Sequence, residues 1–148
     1  VEEMKKEPQN TEIRNKILRA SNIAGLAFSN TKTAAAHSIS YPLTVNFNIP
    51  HGIAASLPLI PLLKLNKCAI ENYLNRILKK LNLKKLSELE ERIREIPDGV
   101  IKYSLKEWGI KANQLDELIS QSFTKGRMDN NIVDLSKKDV YQIMKSIF

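Results

Sequence analysis

Residues 34–52 read AAAHSISYPLTVNFNIPHG and hold both histidines of the chain, His37 and His51. The alanine-rich start and the apolar spacing predict a helix over residues 34–45 that packs closely against its neighbours. Pro42 lies inside this helix and is expected to bend it, because proline lacks a backbone donor. A Pro-His-Gly turn follows, so the second histidine stands where the next segment begins. This stretch differs from the regular amphipathic pattern that follows it.

The sequence on both sides of this stretch predicts helices throughout and no strand. Upstream, a helix should begin at Asn10 or Thr11, end near Phe28, and be buried on most sides near its end. Downstream, the apolar segment 53–65 carries two prolines that strain a regular helix. The predicted fold class is all-α, a helical bundle. Its further amphipathic helices are expected over residues 68–81, 86–96, 100–108, 115–123 and 140–148.

Two helix starts have the spacing of an N-terminal capping box. Ser87 precedes Glu90 by three positions, and Ser136 precedes Asp139 by three. In such a box, the serine and the acidic side chain each accept a hydrogen bond from a backbone N–H at the helix start. We therefore expect a helix to begin at each serine, and neither pair needs a catalytic explanation.

Length and composition favour one compact domain, since 148 residues with 43% hydrophobic content can bury a single core. Cys68 is the only cysteine and cannot form an internal disulfide, and no run of eighteen apolar residues predicts membrane insertion. We therefore expect a cytoplasmic protein without a membrane partner. The sequence opens at Val1 on a charged stretch without an initiator Met, so we expect an internal piece of a longer protein.

Basic residues outnumber acidic residues by 23 to 16, which gives a net charge of +7. Such a charge indicates a nucleic-acid partner, an acidic ligand or only a solvated basic surface. The charges are spread over many segments, which favours the solvated surface. The alternative function is a non-catalytic helical module that docks on nucleic acid or an acidic partner through Lys64, Lys67, Arg76, Lys79, Lys80, Lys84 and Lys85.

The spacing of the two histidines leaves their role open. His37 and His51 are fourteen residues apart, whereas a metal-binding pair on one helix is separated by a single turn. Each can be a hydrogen-bonded structural residue or a ligand, and the two converge if their helices are antiparallel neighbours. Two imidazoles would still be an incomplete site, because a catalytic metal has about three protein ligands and an open position.

Three groups of residues resemble the signature of the iron-containing alcohol dehydrogenases, namely AGLAF at 24–28, HSISYPL at 37–43 and NIPHG at 48–52. The resemblance is close over residues 22–59 and extends further only in helical character and length, including the closing segment 126–148. It implies the C-terminal domain of a dehydroquinate synthase-like, iron-containing alcohol dehydrogenase fold. Residues 1–148 would then form a single all-helical metal-binding domain, with the N-terminal nucleotide-binding domain and an upstream metal-ligand helix outside the chain.

By this resemblance, His37 and His51 would be two of four protein ligands to a divalent metal, iron or zinc. The other two family ligands are an Asp and a His on an earlier helix, and no residue of this sequence matches them. NAD(H) or NADP(H) would be bound mainly by the domain outside the chain, since the sequence has no Gly-rich phosphate loop.

The implied function is a metal-dependent, NAD(P)-linked alcohol dehydrogenase or aldehyde reductase. It would act on small-molecule alcohols or aldehydes and not on nucleic acid. The resemblance implies a dimer in the full-length protein, and this piece alone would be inactive.

Position 41 departs from the family, which often carries a further histidine there. Tyr41 would share a helical face with His37. By the resemblance, its phenol would donate a hydrogen bond to the substrate oxygen during catalysis; a buried tyrosine that packs on Pro42 is an equal alternative. The departure also leaves open a relative that has lost or replaced its metal.

The Tyr-Pro-Leu-Thr wording at 41–44, with a Lys-Thr pair before the first histidine, looks like the phosphonoacetaldehyde reductase branch. Lys32 and Thr33 would then bind the phosphonate of an aldehyde substrate, because a dianion needs several donors. A solvated loop lysine is the alternative. A second polar cluster lies before the last helix and comprises Arg127, Asn130 and Asn131. These residues either close over the pocket or reflect only the usual polar composition of a loop.

Overall fold

The computed structural model of the chain describes residues 2–148, so Val1 lies outside the described residues. The chain forms two compact units, one that ends at Thr33 and one that covers Ala34–Phe148. Every regular element in residues 2–148 is helical, which confirms the all-α prediction. Among these described helices, none combines the length and the apolar character needed to cross a membrane.

The first unit contains α1 (Glu2–Lys6) and α2 (Thr11–Thr31). α2 begins where the sequence predicts, because the Asn10 side chain accepts the backbone N–H groups of the second and third helical residues at 3.1 and 3.3 Å. The expected burial of its end is wrong, since α2 has no buried residue and Phe28 is 52% exposed. Apolar spacing predicts a helix but does not show whether a partner covers its apolar face.

The second unit contains α3 (Ala35–Phe47), α4 (His51–Ser56), α5 (Leu59–Asn66), α6 (Glu71–Lys80), α7 (Leu86–Glu95), α8 (Leu115–Gln121) and α9 (Lys137–Ser146). Short 3-10 turns occupy Lys106–Trp108, Ala112–Gln114 and Met128–Asn130. Its main core includes Ile39 and Leu43 of α3, Leu118 of α8, and Val140 and Met144 of α9, each at most 2% exposed. Burying a side chain of this size stabilises the fold by about 1.5–3 kcal/mol. This core holds α3 against the C-terminal helices.

The proline-containing segments form helices where proline is tolerated. Pro42 lies inside α3 and is buried against the core. The predicted apolar segment 53–65 forms the two helices α4 and α5, with Pro58 as the residue that precedes α5. Pro61 lies in the first turn of α5, where a backbone donor has no intrahelical partner to lose.

Helices α6 and α7 surround a small apolar cluster of their own, which consists of Leu74, Leu78 and Leu89. Their bounds lie close to the predicted segments 68–81 and 86–96. Both helices are amphipathic, so their apolar stripes pack on this cluster and their charged faces are exposed.

The capping box predicted at Ser87 is wrong. α7 begins at Leu86 and places Ser87 inside the helix, where it caps nothing. The Glu88 carboxylate instead accepts the backbone N–H of Lys84 at 2.8 Å. Its neighbour Glu90 forms an ion pair with Lys64 at 3.0 Å. The acidic partner expected for the cap is therefore engaged elsewhere.

The helix predicted over residues 100–108 is wrong, since only Lys106–Trp108 forms a 3-10 turn there. The Glu107 carboxylate accepts the backbone N–H groups of Tyr103 and Ser104 at 3.1 and 3.0 Å, which holds the preceding residues in a turn. Gly109 then takes a left-handed φ of 81° and ends the segment. Apolar spacing alone cannot exclude a turn fixed by a side-chain acceptor.

The capping box predicted at Ser136 is confirmed. The Ser136 hydroxyl accepts the backbone N–H of Asp139 at 3.3 Å, and the Asp139 carboxylate accepts the backbone N–H of Ser136 at 2.9 Å. α9 begins directly after this pair. Each side chain thus satisfies one of the backbone donors that a helix start leaves unpaired.

Candidate functional site

The two histidines meet at the junction of α3 and α4. His37 lies in the first turn of α3, and His51 is the first residue of α4. α3 ends at Phe47, the residue after it, Asn48, takes a left-handed φ of 52°, and α4 begins three residues later. The ring centroids of His37 and His51 are 5.2 Å apart, and the rings are tilted by 58°. Fourteen residues of sequence separation thus become a direct side-chain contact.

The electrostatic environment favours the neutral form of His37. Burial lowers the pKa of His37 below its ordinary value, and the charges of His51 and Arg127 lower it further. A metal binds the neutral imidazole, and protons compete with the metal for the ring nitrogen. The lowered pKa of His37 therefore reduces the competition between protons and a metal.

The histidine pair fits a metal site as two of its donors but does not complete one. Among the described residues, no group of three or more His, Cys, Asp or Glu side chains lies close enough to hold a metal ion. A catalytic divalent site has about three protein ligands. The two imidazoles would consequently hold a metal only together with further ligands.

Tyr41 lies beside the pair, one turn after His37 on the same face of α3. Its ring is stacked on that of His51, with centroids 6.1 Å apart and an interplanar angle of 16°. The Thr44 hydroxyl follows one turn further on and is buried without a hydrogen-bond partner among the described residues. Buried polar groups are seldom left unpaired, so this part of α3 has an unsatisfied polar atom next to an aromatic contact.

Arg127 also contacts the Tyr41 ring. Its Cζ lies 4.8 Å from the centroid of the Tyr41 ring, a cation–π distance. The sequence left open whether Arg127 closes over the pocket or only belongs to a polar loop before the last helix. The contact joins residues that are more than eighty positions apart, and no local pattern indicates it.

Ser38 forms hydrogen bonds to the segment that carries Arg127. The sequence alone did not predict this positioning role of Ser38. The buried Ser38 hydroxyl donates to the Ser122 carbonyl at 2.5 Å and accepts the Thr124 backbone N–H at 3.2 Å. The Thr124 carbonyl in turn accepts the Arg127 backbone N–H at 3.2 Å. The only signal in the sequence is a polar residue on the buried face of a helix.

The far end of the same segment is held by a pair of amides. The Asn131 side chain accepts from the Asn66 amide at 3.1 Å and donates to the Asn66 carbonyl oxygen at 3.0 Å. Met128, between the two attachments, is only 6% exposed. Arg127 therefore extends from a segment that is anchored on both sides.

Lys32 and Thr33, the predicted substrate-binding residues, end the first unit. Lys32 terminates α2 with a positive φ of 63°, and its side chain is exposed. Thr33 is half-buried. Their expected role toward a phosphonate stays a prediction.

The basic residues of the alternative interpretation lie mainly on and around α6 and are exposed. Lys64, one of them, is paired with Glu90 at 3.0 Å. Tyr73 of α6 lies among them and is 66% exposed. The surface has the charge of a nucleic-acid site and an exposed ring of the kind on which single-strand binders stack bases, and this alternative stays a prediction.

Two curated relatives match nearly the whole chain. The 4-hydroxybutyrate dehydrogenase of Clostridium kluyveri is 27% identical over 145 residues, which cover 93% of this chain and 39% of that protein. The NADPH-dependent butanol dehydrogenase of Clostridium saccharobutylicum is 27% identical over 149 residues, which cover 93% of this chain and 38% of that protein. The chain thus spans about two fifths of the length of these relatives.

A solved structure extends the likeness to the fold. The sulfoacetaldehyde reductase of Bifidobacterium kashiwanohense, crystallised in complex with NAD+, matches with a TM-score of 0.87 and 28% identity over 97% of this chain and 38% of that one. The family model described as the Fe-containing alcohol dehydrogenase family, C-terminal, matches residues 1–148. The chain therefore belongs to the Fe-containing alcohol dehydrogenase family and corresponds to its C-terminal region.

Proposed function

We propose that this chain is the C-terminal, metal-binding part of a metal-dependent, NAD(P)-linked alcohol dehydrogenase or aldehyde reductase. The observation that carries the proposal is the approach of His37 and His51 to 5.2 Å between ring centroids. Family membership supports a metal-binding role for this pair over a purely structural one. The full-length enzyme is proposed to be a cytoplasmic dimer that acts on small molecules.

His37 and His51 would hold the divalent ion, iron or zinc, with their neutral imidazoles. When bound, such an ion supplies a Lewis acid for the substrate oxygen, and a nicotinamide cofactor supplies the hydride. NAD(H) or NADP(H) would be bound mainly by a nucleotide-binding domain outside this chain. The remaining ligands would also come from outside it, since the described residues offer only the two imidazoles.

Tyr41 is the proposed proton-handling residue of this chain. Its stacking on His51 places the phenol ring next to the proposed metal ligands. A phenol can donate a hydrogen bond to the oxygen of an aldehyde and pass on a proton as the alcohol forms. Removal of its hydroxyl should therefore affect turnover more than binding.

The proposed substrate is a short aldehyde that carries a phosphonate or a similar anionic group. Two relatives support such a class, since the names 4-hydroxybutyrate dehydrogenase and sulfoacetaldehyde reductase denote substrates with an acid group at the end opposite the reacting carbon. Lys32 and Thr33 remain the proposed contacts for a phosphonate. A lysine there supplies a point charge and a threonine a hydroxyl donor.

Metal removal tests the proposal directly. The full-length protein would be treated with a chelator, dialysed, and assayed for oxidation of NADH or NADPH with a short aldehyde before and after addition of Fe²⁺ or Zn²⁺. We expect activity to disappear on chelation and to return with one of the ions. Unchanged activity in the stripped protein would remove the metal from the mechanism.

The alternative nucleic-acid function is tested with the same preparation. Binding through basic residues should weaken steeply as salt is added, because each neutralised phosphate releases counterions. We expect no salt-dependent binding to a DNA or RNA duplex. Tight binding at low salt, combined with no dehydrogenase activity in the metal-loaded protein, would favour the alternative.

A further inference from the structure

Arg127 brings a positive charge next to the histidine pair. Its Cζ lies 4.8 Å from the Tyr41 ring centroid, and that ring is stacked 6.1 Å from the His51 ring. The distance from the Arg127 Cζ to the centroid of the His51 ring is therefore at most the sum of these two distances.

This charge has no carboxylate partner in the described part of the chain. The ion pairs described there include those of Lys16 with Glu12 and of Lys64 with Glu90, and Arg127 takes part in neither. Arg127 is half-buried, so it has lost part of its hydration without gaining a counter-charge. A cation–π contact attracts the guanidinium but does not neutralise it. A partly desolvated arginine beside an enzyme site is suited to bind an anion through its fork of N–H donors.

The position of Arg127 is fixed before any ligand arrives. Ser38 holds the preceding residues at Ser122 and Thr124, and the Asn66–Asn131 amide pair holds the following ones. Gly126 supplies the left-handed φ of 80° that turns the chain into Arg127. A binding residue on an anchored segment loses little conformational entropy when the ligand binds.

We propose that Arg127 binds the anionic end of the substrate, so that the enzyme selects short aldehydes that carry a carboxylate, sulfonate or phosphonate group. The aldehyde carbon would lie toward the imidazole pair and the anion toward the guanidinium, and both would lie next to the Tyr41 side chain. This proposal rests on the proposed function and adds to it a further residue that takes part in substrate choice.

Steady-state kinetics on the metal-loaded, full-length enzyme test the role. The substrates would be butanal, which is neutral, and three anionic aldehydes, namely succinate semialdehyde, sulfoacetaldehyde and phosphonoacetaldehyde. In Arg127→Met we expect the KM of the preferred anionic aldehyde to rise roughly ten- to a hundredfold, since a hydrogen bond to a charged group is lost. The KM of butanal should stay within about twofold, and Arg127→Lys should give an intermediate loss because it keeps the charge without the fork.

Anion binding without turnover provides a second measurement. Thermal unfolding of the wild-type enzyme should shift upward with the unreactive anion butyrate, propane-1-sulfonate or propylphosphonate, and this shift should be absent in Arg127→Met. Arg76→Met is the matched control, because Arg76 is exposed on α6. It should keep both the KM values and the shift.

The outcomes separate this proposal from the proposed function. A wild-type enzyme that reduces no aldehyde with NADH or NADPH and binds none of the anions overturns both. If the wild type is active but Arg127→Met changes the KM of butanal as much as that of the anionic aldehydes, Arg127 is structural and the inference fails. A rise confined to the KM of NADH or NADPH would assign the arginine to a cofactor phosphate and also overturns it. If Arg127→Met does not fold, Arg127→Lys provides the test. A preference for anionic aldehydes in Arg127→Lys that equals that of the wild type would overturn the inference about Arg127.

Discussion

The α3–α4 junction and the α6–α7 pair are both helical, but different contacts hold them. In the α6–α7 pair, three leucines close a local apolar cluster, and the helices follow the regular spacing of their apolar residues. At the α3–α4 junction, Ser38 bonds to residues more than eighty positions away, and Arg127 reaches Tyr41 across a similar separation. The first region is organised by neighbours in sequence and the second by distant partners.

This difference bears on why several polar side chains come together at the α3–α4 junction. A local amphipathic pair buries its apolar stripe and exposes charges, so it offers stability without a defined arrangement of polar groups. The junction brings two imidazoles, a phenol and a guanidinium together on anchored backbone. Such an arrangement is the kind that a binding or catalytic site requires.

The largest difference between the regions should appear in metal binding. We expect His51→Ala to lower metal affinity more than roughly a hundredfold, because even changes to residues behind a ligand cost about 10- to 100-fold. The measurement is metal content by atomic spectroscopy after dialysis of the full-length protein. Tyr73→Ala, which removes an exposed ring from α6, is the control and should keep the metal. Full metal content in His51→Ala would show that the histidine contact is structural.

An intermediate effect is expected from Ser38→Ala. The substitution removes both hydrogen bonds of the Ser38 hydroxyl, whereas the Thr124 backbone N–H still donates to the Ser122 carbonyl at 3.1 Å. We expect a loss of about 0.5–1.5 kcal/mol in the free energy of unfolding for each hydrogen bond removed. It should also raise the KM of an anionic aldehyde, because the segment that carries Arg127 loses one attachment. Leu78→Ala in the α6–α7 cluster is the control; it should cost about 2–5 kcal/mol but leave that KM unchanged. Equal KM values in the two variants would contradict the positioning role of Ser38.

The smallest effect concerns the two predicted helix caps. Ser136→Ala should lower the free energy of unfolding by about 1 kcal/mol, whereas Ser87→Ala should change it much less, since Ser87 lies inside α7. Chemical denaturation near neutral pH measures both. A larger loss in Ser87→Ala than in Ser136→Ala would reverse the assignment of the caps.

The confirmed cap also carries a pH dependence. Hydrogen bonds from the Ser136 side chain and backbone hold the pKa of Asp139 below its ordinary value of about 3.9. Because this pKa is lower in the folded state, the stabilisation is fully present above the unfolded value and is lost as the pH falls through the folded value. The difference in unfolding free energy between wild type and Ser136→Ala should therefore shrink in strongly acidic solution.

The sequence predicts those features that local patterns encode. The all-helical class, the start of α2 after Asn10 and the Ser136 cap are confirmed. The burial of Phe28, the helix over 100–108 and the Ser87 cap are wrong. In each of these, the outcome depends on an element or acceptor that the local pattern does not contain.

The candidate site divides in the same way. The sequence motifs around His37 and His51 that resemble the family signature predict the histidine pair, and the structure brings the two rings together. The partners of Tyr41 and Ser38 come from the segment after α8, which local spacing cannot align with α3. The metal-binding role of His37 and His51 and the catalytic role of Tyr41 remain predictions.

The left-handed Asn48 and the short connection after it have a consequence for how this protein tolerates insertions. With so few residues between α3 and α4, an added residue cannot loop out and must be absorbed by the start of α4. One residue corresponds to about 100° of rotation around a helix axis, which would turn His51 away from His37. Length variation should thus be excluded between the two histidines even where side-chain variation is accepted.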